Sequence, residues 1–321
     1  MKMFLSLMWS LLLAPLLCAQ VLEVEDEAVS IEVEGKTLKG SLTRGVKVDG
    51  YKQRAALIIS GSGATDRDGN NLPLMKNDSL KLLAHAITKY GIATLRVDKR
   101  GIAASKTAGL KEEDLRFTTY VDDITQWIDF LNKHGYKEVI LIGHSEGALV
   151  ATMAAKHNSV VGLVSLAGAG RSAADILKEQ LKVNLPEALV PQAFQIIDQL
   201  SQGKQVREIP MIFQTLFRPS VQPYLISWFK LDPAREIAKL DIPVMIIQGT
   251  TDLQIQEKDA TLLHQSAKNS KLHLMKGMNH VLKKADGDKT KQLPSYLKPN
   301  FPLFEGLSKT VYEFLITTGA D

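Results

Sequence analysis

A single cysteine, Cys18, occurs in the 321 residues, and it falls at the end of an N-terminal apolar run. If that run is removed no disulfide can form, so a disulfide-stapled secreted scaffold is excluded and the fold must rest on an apolar core. About 300 residues are enough for one, since a chain of that size buries roughly three quarters of its unfolded surface. A long hydrophobic span is also missing. The run from Met3 to Leu17 falls short of the about 20 apolar residues that a membrane-crossing helix needs. Behind Met1-Lys2 and ahead of Cys18-Ala19-Gln20 it has the layout of a cleavable secretion signal, residues 1–19, which implies an exported protein of the periplasm or medium. The alternative is a lipoprotein anchored through Cys18, although Leu17 stands where a small residue is expected before a lipidated cysteine.

Neither sign of charge dominates. There are 39 Lys and Arg against 35 Asp and Glu, a formal net charge of +4, and the basic residues are scattered, which leaves no footprint for nucleic acid. At 45% hydrophobic and 23% charged residues, disorder and coiled coil are set aside. The chain has no internal repeat and no low-complexity tract.

What it does have is the stretch Val139-Ile140-Leu141-Ile142-Gly143-His144-Ser145-Glu146-Gly147-Ala148-Leu149-Val150. A β-branched strand pattern runs into G-x-S-x-G and at once into a helix former. So tight a strand-to-helix turn strains the serine backbone and lifts its hydroxyl above the sheet edge, while Gly143 and Gly147 leave room that a Cβ would fill. The helix N-terminus and the Glu146 N–H then face any negative charge developing beside Ser145.

Around this stretch the pattern is β-rich, then alternating. Val29 to Leu42 reads as an antiparallel hairpin about a Gly-Lys turn. Ala55 to Ile59 is continuously apolar, the pattern of a strand covered on both faces. A helix capped by Asn77-Asp78-Ser79, a strand from Ile92 to Val97, a helix from Tyr120 to His134, the strand Val139 to Ile142, a helix to about His157 and a strand from Val160 to Leu166 follow in βαβα order. This predicts an α/β chain with a mostly parallel, doubly wound sheet whose active groups lie at the strands' carboxyl ends. From 171 to 240 the rhythm becomes helical, with Ala173 to Val183 and Pro191 to Leu200 and no strand between them. We take 171–240 as an inserted helical cap, with 20–170 and 241–321 as the two parts of the core. Phe194, Met211, Phe213, Leu216, Phe217, Tyr224, Trp228 and Phe229 could line an acyl pocket or form the cap's own core. The α/β rhythm returns with Pro243 to Ile247, a helix from Gln256 to Ala267, a strand from Lys271 to Met275 and a helix from about Leu303 to Ile316.

A serine hydroxyl needs a base, and the base an orienting carboxylate. Asp252, in Gly249-Thr250-Thr251-Asp252, follows the Val244 to Ile247 strand; Asp241 precedes it, at the wrong end. His280, in Gly277-Met278-Asn279-His280, follows the last strand. His273 lies within that strand, His264 in a helix, and His85, His134 and His157 precede the acid. His144, inside the elbow, reads as a packing residue or as one that supports the catalytic groups from behind. The second oxyanion donor should come from the loop Ser60-Gly61-Ser62-Gly63-Ala64-Thr65-Asp66-Arg67-Asp68-Gly69-Asn70, with the Ser62 N–H preferred and Gly63 the alternative. A phosphate cradle lacks its Lys-Ser/Thr pair or G-x-G-x-x-G. A calcium loop fails too, because the glycine comes too early and no Glu closes it. The carboxylates Asp66 and Asp68 are expected to pin the loop instead.

With these motifs the chain resembles the α/β-hydrolases, and within them bacterial serine carboxylesterases with an S-G-S-G-x-x-D-R-D-G loop and a helical cap. The resemblance runs from about Ala28 to the C-terminus. It implies cofactor-free, metal-free hydrolysis of carboxylic esters, with Ser145, Asp252 and His280 as triad and the Ser62 and Glu146 N–H groups as oxyanion hole. One departure stands in Asp98-Lys99-Arg100-Gly101-Ile102-Ala103-Ala104-Ser105, where many relatives read D-x-R-G-x-G-x-S; Ala103 bears on the shape of that loop, not on the chemistry. The expected partner is a small-molecule ester of short to medium acyl length, with no nucleic acid and no membrane span in the mature form. A thioesterase, a peptidase-like amidase or a lactonase could use the same triad, and a binding protein on a hydrolase scaffold is the reading from outside enzymes.

Overall fold

In the computed structural model the described residues are 23–46 and 53–319; the expected signal at 1–19, Cys18 included, lies outside them. Strands β1 (Val24–Val33) and β2 (Lys36–Gly45) form the antiparallel hairpin, with Val33 opposite Lys36. Its two-residue loop is Glu34-Gly35, at φ 51° and 71°, the paired positive values that suit the twist of hairpin strands. The turn thus falls one residue earlier than the sequence pattern suggests, because Lys36 already pairs.

The remaining strands are β3 (Arg54–Ile59), β4 (Ala93–Val97), β5 (Glu138–His144), β6 (Val160–Leu166), β7 (Val244–Gly249) and β8 (Ser270–Met275). The sheet order is β1-β2-β4-β3-β5-β6-β7-β8. β2 meets β4 antiparallel, and every pairing from β4 to β8 across the sheet is parallel. Between β3 and β6 the chain forms α1 (Ser79–Thr88), α2 (Phe117–Lys133) and α3 (Glu146–Ala154). Between β6 and β7 it forms α4 (Ala173–Asn184), α5 (Val190–Ser201), α6 (Gln214–Phe217), α7 (Gln222–Phe229) and α8 (Pro233–Ile237), with no described strand among them. α9 (Glu257–Ser266) joins β7 to β8, and α10 (Lys289–Leu297) and α11 (Leu307–Thr317) follow.

Alternate side chains of one strand point to opposite faces, and the central strands are apolar on both. Leu57, Leu95 and Leu141 pack with Phe117, Ile124, Trp127 and Leu131 of α2. Ile58, Ile140 and Ile142 pack on the other face with Leu80 and Leu83 of α1 and Val311 and Leu315 of α11. This two-sided cover explains the unbroken apolar run of β3, all of it buried. The sheet is therefore rigid, and the loops at its carboxyl edge inherit fixed starting points.

Candidate active site

β5 delivers Ser145 at φ 55°, ψ −121°, a left-handed backbone that costs a side-chain-bearing residue about 1 kcal/mol or more and persists only where its surroundings enforce it. The Ser145 N–H donates to the Leu166 carbonyl at 2.9 Å, locking the turn to β6. A Cβ on Gly143 would overlap the Gly147 carbonyl, and one on Gly147 would overlap the Ile59 carbonyl. Only glycine lets α3 start this close to β3 and β5.

Asp252 follows β7 and His280 follows β8. His280 Nδ1 and Asp252 Oδ2 lie 2.8 Å apart, both side chains almost wholly buried. The other carboxylate oxygen accepts the Gln254 and Ile255 N–H groups at 2.7 and 3.0 Å, and Gln248 Nε2 donates to Oδ2 at 3.2 Å. Burial alone would raise the Asp252 carboxyl, but the His280 imidazole and the donated N–H groups hold it below the usual carboxylate range. Gln292 of α10 donates to the Thr251 carbonyl at 2.7 Å and so ties the acid loop down. Nothing in the sequence reading marked α10, whose charged pattern and internal Pro294 argue against a helix.

Ser145 Oγ has no hydrogen-bond partner among the described residues, so the structure joins Asp252 to His280 and leaves the Ser145–His280 bond open. Catalytic hydrogen bonds commonly tighten only with substrate in place. Ser145 instead lines a cavity of about 330 Å³ together with Ser62, Gly63 and Glu146. A Cβ on Gly61 would come within 3.1 Å of the Ser145 Cβ. Within the described residues none of the Ser62, Gly63 and Glu146 N–H groups has a protein acceptor, which leaves three donors free among the residues lining the cavity, the Gly63 alternative included.

The loop that carries Ser62 is pinned by its carboxylates, as its composition suggests. Asp66 Oδ1 accepts the Asp68 and Asn70 N–H groups at 2.9 and 2.8 Å, and Asp68 pairs with Arg96. Asp98 accepts the Arg67 N–H at 2.8 Å and the Ala104 N–H at 3.1 Å. Ala103, where relatives have glycine, sits at φ 45°, so alanine here takes the left-handed conformation that glycine would adopt without strain.

His144 Nε2 is 2.7 Å from the His280 carbonyl oxygen. A carbonyl only accepts, so Nε2 carries the proton, and His144 holds the His280 loop from below the elbow. Burial, helped by the nearby His280, lowers its imidazole to about 4, whereas an unfolded histidine titrates near 6.5. The unfolded chain therefore takes up this proton first as pH falls. The His144 contribution is complete above about pH 6.5 and is lost on the way down to 4, amounting to about 3 kcal/mol. Urea unfolding of wild type and His144→Gln at pH 7 and 4.5 checks this. The variant keeps a donor for the carbonyl and should lose less stability over that window; an equal loss would assign the pH dependence to other groups.

Of the cap's large apolar residues, Phe213, Phe217 and Phe229 are buried in its core, and Met211 is exposed. Leu216, Tyr224 and Trp228 line the Ser145 cavity, along with Ile176 and Leu177 of α4 and Leu225 of α7. Arg171 reaches the cavity with its charge already met by Asp259 at 2.8 Å and Glu179 at 2.7 Å. Sequence reasoning missed Gln248 and Lys99, which carry no motif of their own; Lys99 could have been noticed as a cation at the carboxyl end of β4.

The family described as serine aminopeptidase, S33, matches residues 78–224, a stretch that includes Ser145 and ends before Asp252 and His280. Esterase EstD of Thermotoga maritima is 26% identical over 242 residues, 74% of this chain. The chain spans only 56% of that protein's length. Among solved structures, Est1E of Butyrivibrio proteoclasticus with ferulic acid bound has a TM-score of 0.62 at 19% identity, covering 92% of this chain and all of that one. The Pyrococcus furiosus esterase Pf2001 gives 0.57 at 16% identity, covering 92% and 90%. An esterase of Exiguobacterium antarcticum gives 0.54 at 16% identity, covering 90% of this chain and all of that one. At such identities the structural likeness speaks for the fold alone: with the sheet order and the elbow, this chain has the α/β-hydrolase fold, and its sequence is similar to that of an esterase.

Proposed function

We propose that the chain is a serine carboxylesterase acting by acyl transfer. Ser145 attacks the ester carbonyl while His280 takes its proton, Asp252 orients the imidazole and stabilises the imidazolium, and the Ser62 and Glu146 N–H groups bind the oxyanion. The alcohol leaves with the proton from His280, and water then hydrolyses the acyl-enzyme by the same route. The observation that carries this reading is the meeting of a strained, half-buried serine and unspent backbone N–H groups on one cavity. Export rests on residues 1–19 alone and belongs to the same proposal.

The cavity favours an uncharged, apolar acyl group of short to medium length. Its volume lies at the small end of the range for ligand sites, leucine, isoleucine, valine, tyrosine and tryptophan line it beside the uncharged polar Gln180, Thr215 and Gln254, and the charges of Arg171 and Arg218 are already paired with carboxylates. Among the described residues that line it, no cation is left free for the phosphates of a coenzyme A thioester. The aminopeptidase family match favours an amide as second reading. A panel of p-nitrophenyl esters of about two to twelve acyl carbons, a hydroxycinnamoyl ester, an acyl-CoA and an aminoacyl amide decides between them. The highest kcat/KM is expected on an ester. A maximum on the amide or the acyl-CoA would overturn the esterase reading and leave the nucleophile in place.

A further inference from the structure

The direction of a backbone N–H is set by whatever holds the carbonyl of the same peptide, because the two point to opposite sides of a trans unit. In the oxyanion loop three successive carbonyls are held. Lys99 Nζ donates to the Gly61 carbonyl and, at 2.8 Å, to the Gly63 carbonyl. The Thr65 hydroxyl donates to the Ser62 carbonyl at 2.7 Å. With Gly61 C=O turned to Lys99, the Ser62 N–H is turned away from it. Ser62 lines the Ser145 cavity; Lys99 does not, and instead lines a neighbouring cavity of about 300 Å³ that shares Gly63 and Glu146 with the first.

Lys99 is buried, 9% exposed, at the carboxyl end of β4. A bland account would make it a counter-ion for buried Glu146, whose Oε1 is 3.8 Å from Nζ. The two carbonyls are closer than that carboxylate, so the shorter bonds belong to the loop. An ammonium has three donors and can hold both carbonyls and still face Glu146. Glu146 in turn opens α3 and carries another of the free N–H groups, so one buried cation is in touch with both halves of the oxyanion site.

We propose that Lys99 is a positioning residue of the proposed ester hydrolysis: by holding the Gly61 and Gly63 carbonyls it aims the Ser62 N–H at the carbonyl oxygen of the substrate as that oxygen becomes negative. This rests on the esterase reading. An N–H that is misaimed by an ångström no longer stabilises the transition state, yet the ground-state ester binds much as before.

Lys99→Met keeps an unbranched side chain only one atom shorter and removes the donors. It is expected to lower kcat about 10²- to 10³-fold, the cost of one oxyanion donor, with KM moved less than about threefold. The rate at which a fluorophosphonate inactivates the enzyme should fall in step, since its P=O occupies the same site. Because the single variant leaves Glu146 facing no cation, the pair Glu146→Gln and Lys99→Met/Glu146→Gln is measured beside it. The double variant should unfold at a temperature close to that of Glu146→Gln while kcat is lower by the same factor as in the single variant. Lys99→Arg, which still donates to carbonyls, should recover part of the loss. Parental kcat in Lys99→Met, or recovery of kcat together with melting temperature in the double variant, would show a counter-ion and nothing more. Should the parental protein fail to react with the fluorophosphonate at Ser145, the esterase reading falls instead.

Discussion

Ser145→Ala is expected to lower kcat for ester hydrolysis about 10⁶-fold, the cost of removing a nucleophile whose partners act only with it. Stability should hardly move. Alanine keeps the Cβ that the turn already accommodates at φ 55°, and the backbone bond from residue 145 to the Leu166 carbonyl at 2.9 Å is untouched. Ser145 Oγ has no partner among the described residues, so its loss leaves no buried group unpaired. A melting temperature within a degree or two of wild type, for a ΔΔG of about 0.5 kcal/mol or less, would therefore accompany the loss of turnover. The remaining rate, about 10³- to 10⁴-fold above water, would come from the oxyanion donors and substrate binding. The measurement is steady-state hydrolysis of the best ester of the panel, with fluorophosphonate labelling as the second readout. Retention of more than a few per cent of activity would remove Ser145 from its proposed role.

The elbow was legible because its signal is local. Strand pattern, two glycines and helix former all fall within a dozen residues, and the structure shows why neither glycine can be replaced without overlap with a carbonyl. The positions of Asp252 and His280 were legible through order, since Asp252 lies just past the apolar run of β7 and His280 past β8, which alternates polar and apolar residues. Less local features were hidden. α10 violates helix propensity with Pro294 and is held by Gln292 and Ser295, whose partners Thr251 and Asn279 are distant in sequence. Gln248 reads as one more residue of β7, and its bonds to Asp252 and to the Ile255 carbonyl arise only when the acid loop folds back over it. Lys99 reads as a surface cation until β3 and β4 pair in parallel and bring the Gly61 and Gly63 carbonyls to its amine. In each case the partner choice is tertiary, and one-dimensional periodicity carries no record of it.

Asp252→Asn is the second large effect, about 10⁴-fold in kcat, and the geometry dictates how the amide must sit. The Gln254 and Ile255 N–H groups donate to Asp252 Oδ1 at 2.7 and 3.0 Å. Both are donors on a fixed backbone, so the oxygen of an asparagine must take that place. Its NH₂ then occupies the position of Oδ2, 2.8 Å from His280 Nδ1 and 3.2 Å from Gln248 Nε2. Facing a donor, Nδ1 must present its lone pair, which moves the ring proton to Nε2. That is the nitrogen needed unprotonated to accept from Ser145. The imidazolium formed during attack also loses its carboxylate counter-charge. Turning the amide over would not help, because it would set its NH₂ against two N–H groups. Gln248 Nε2 also meets a donor in the variant, yet it keeps the Gly249 and Ile255 carbonyls at 3.1 and 3.0 Å, so the fold should survive. A hydrolysis assay and a melting curve on the same preparation separate the two effects. A kcat like that of wild type would place the orienting acid elsewhere. A kcat as low as that of Ser145→Ala would make the carboxylate as indispensable as the nucleophile, which an orienting role does not allow.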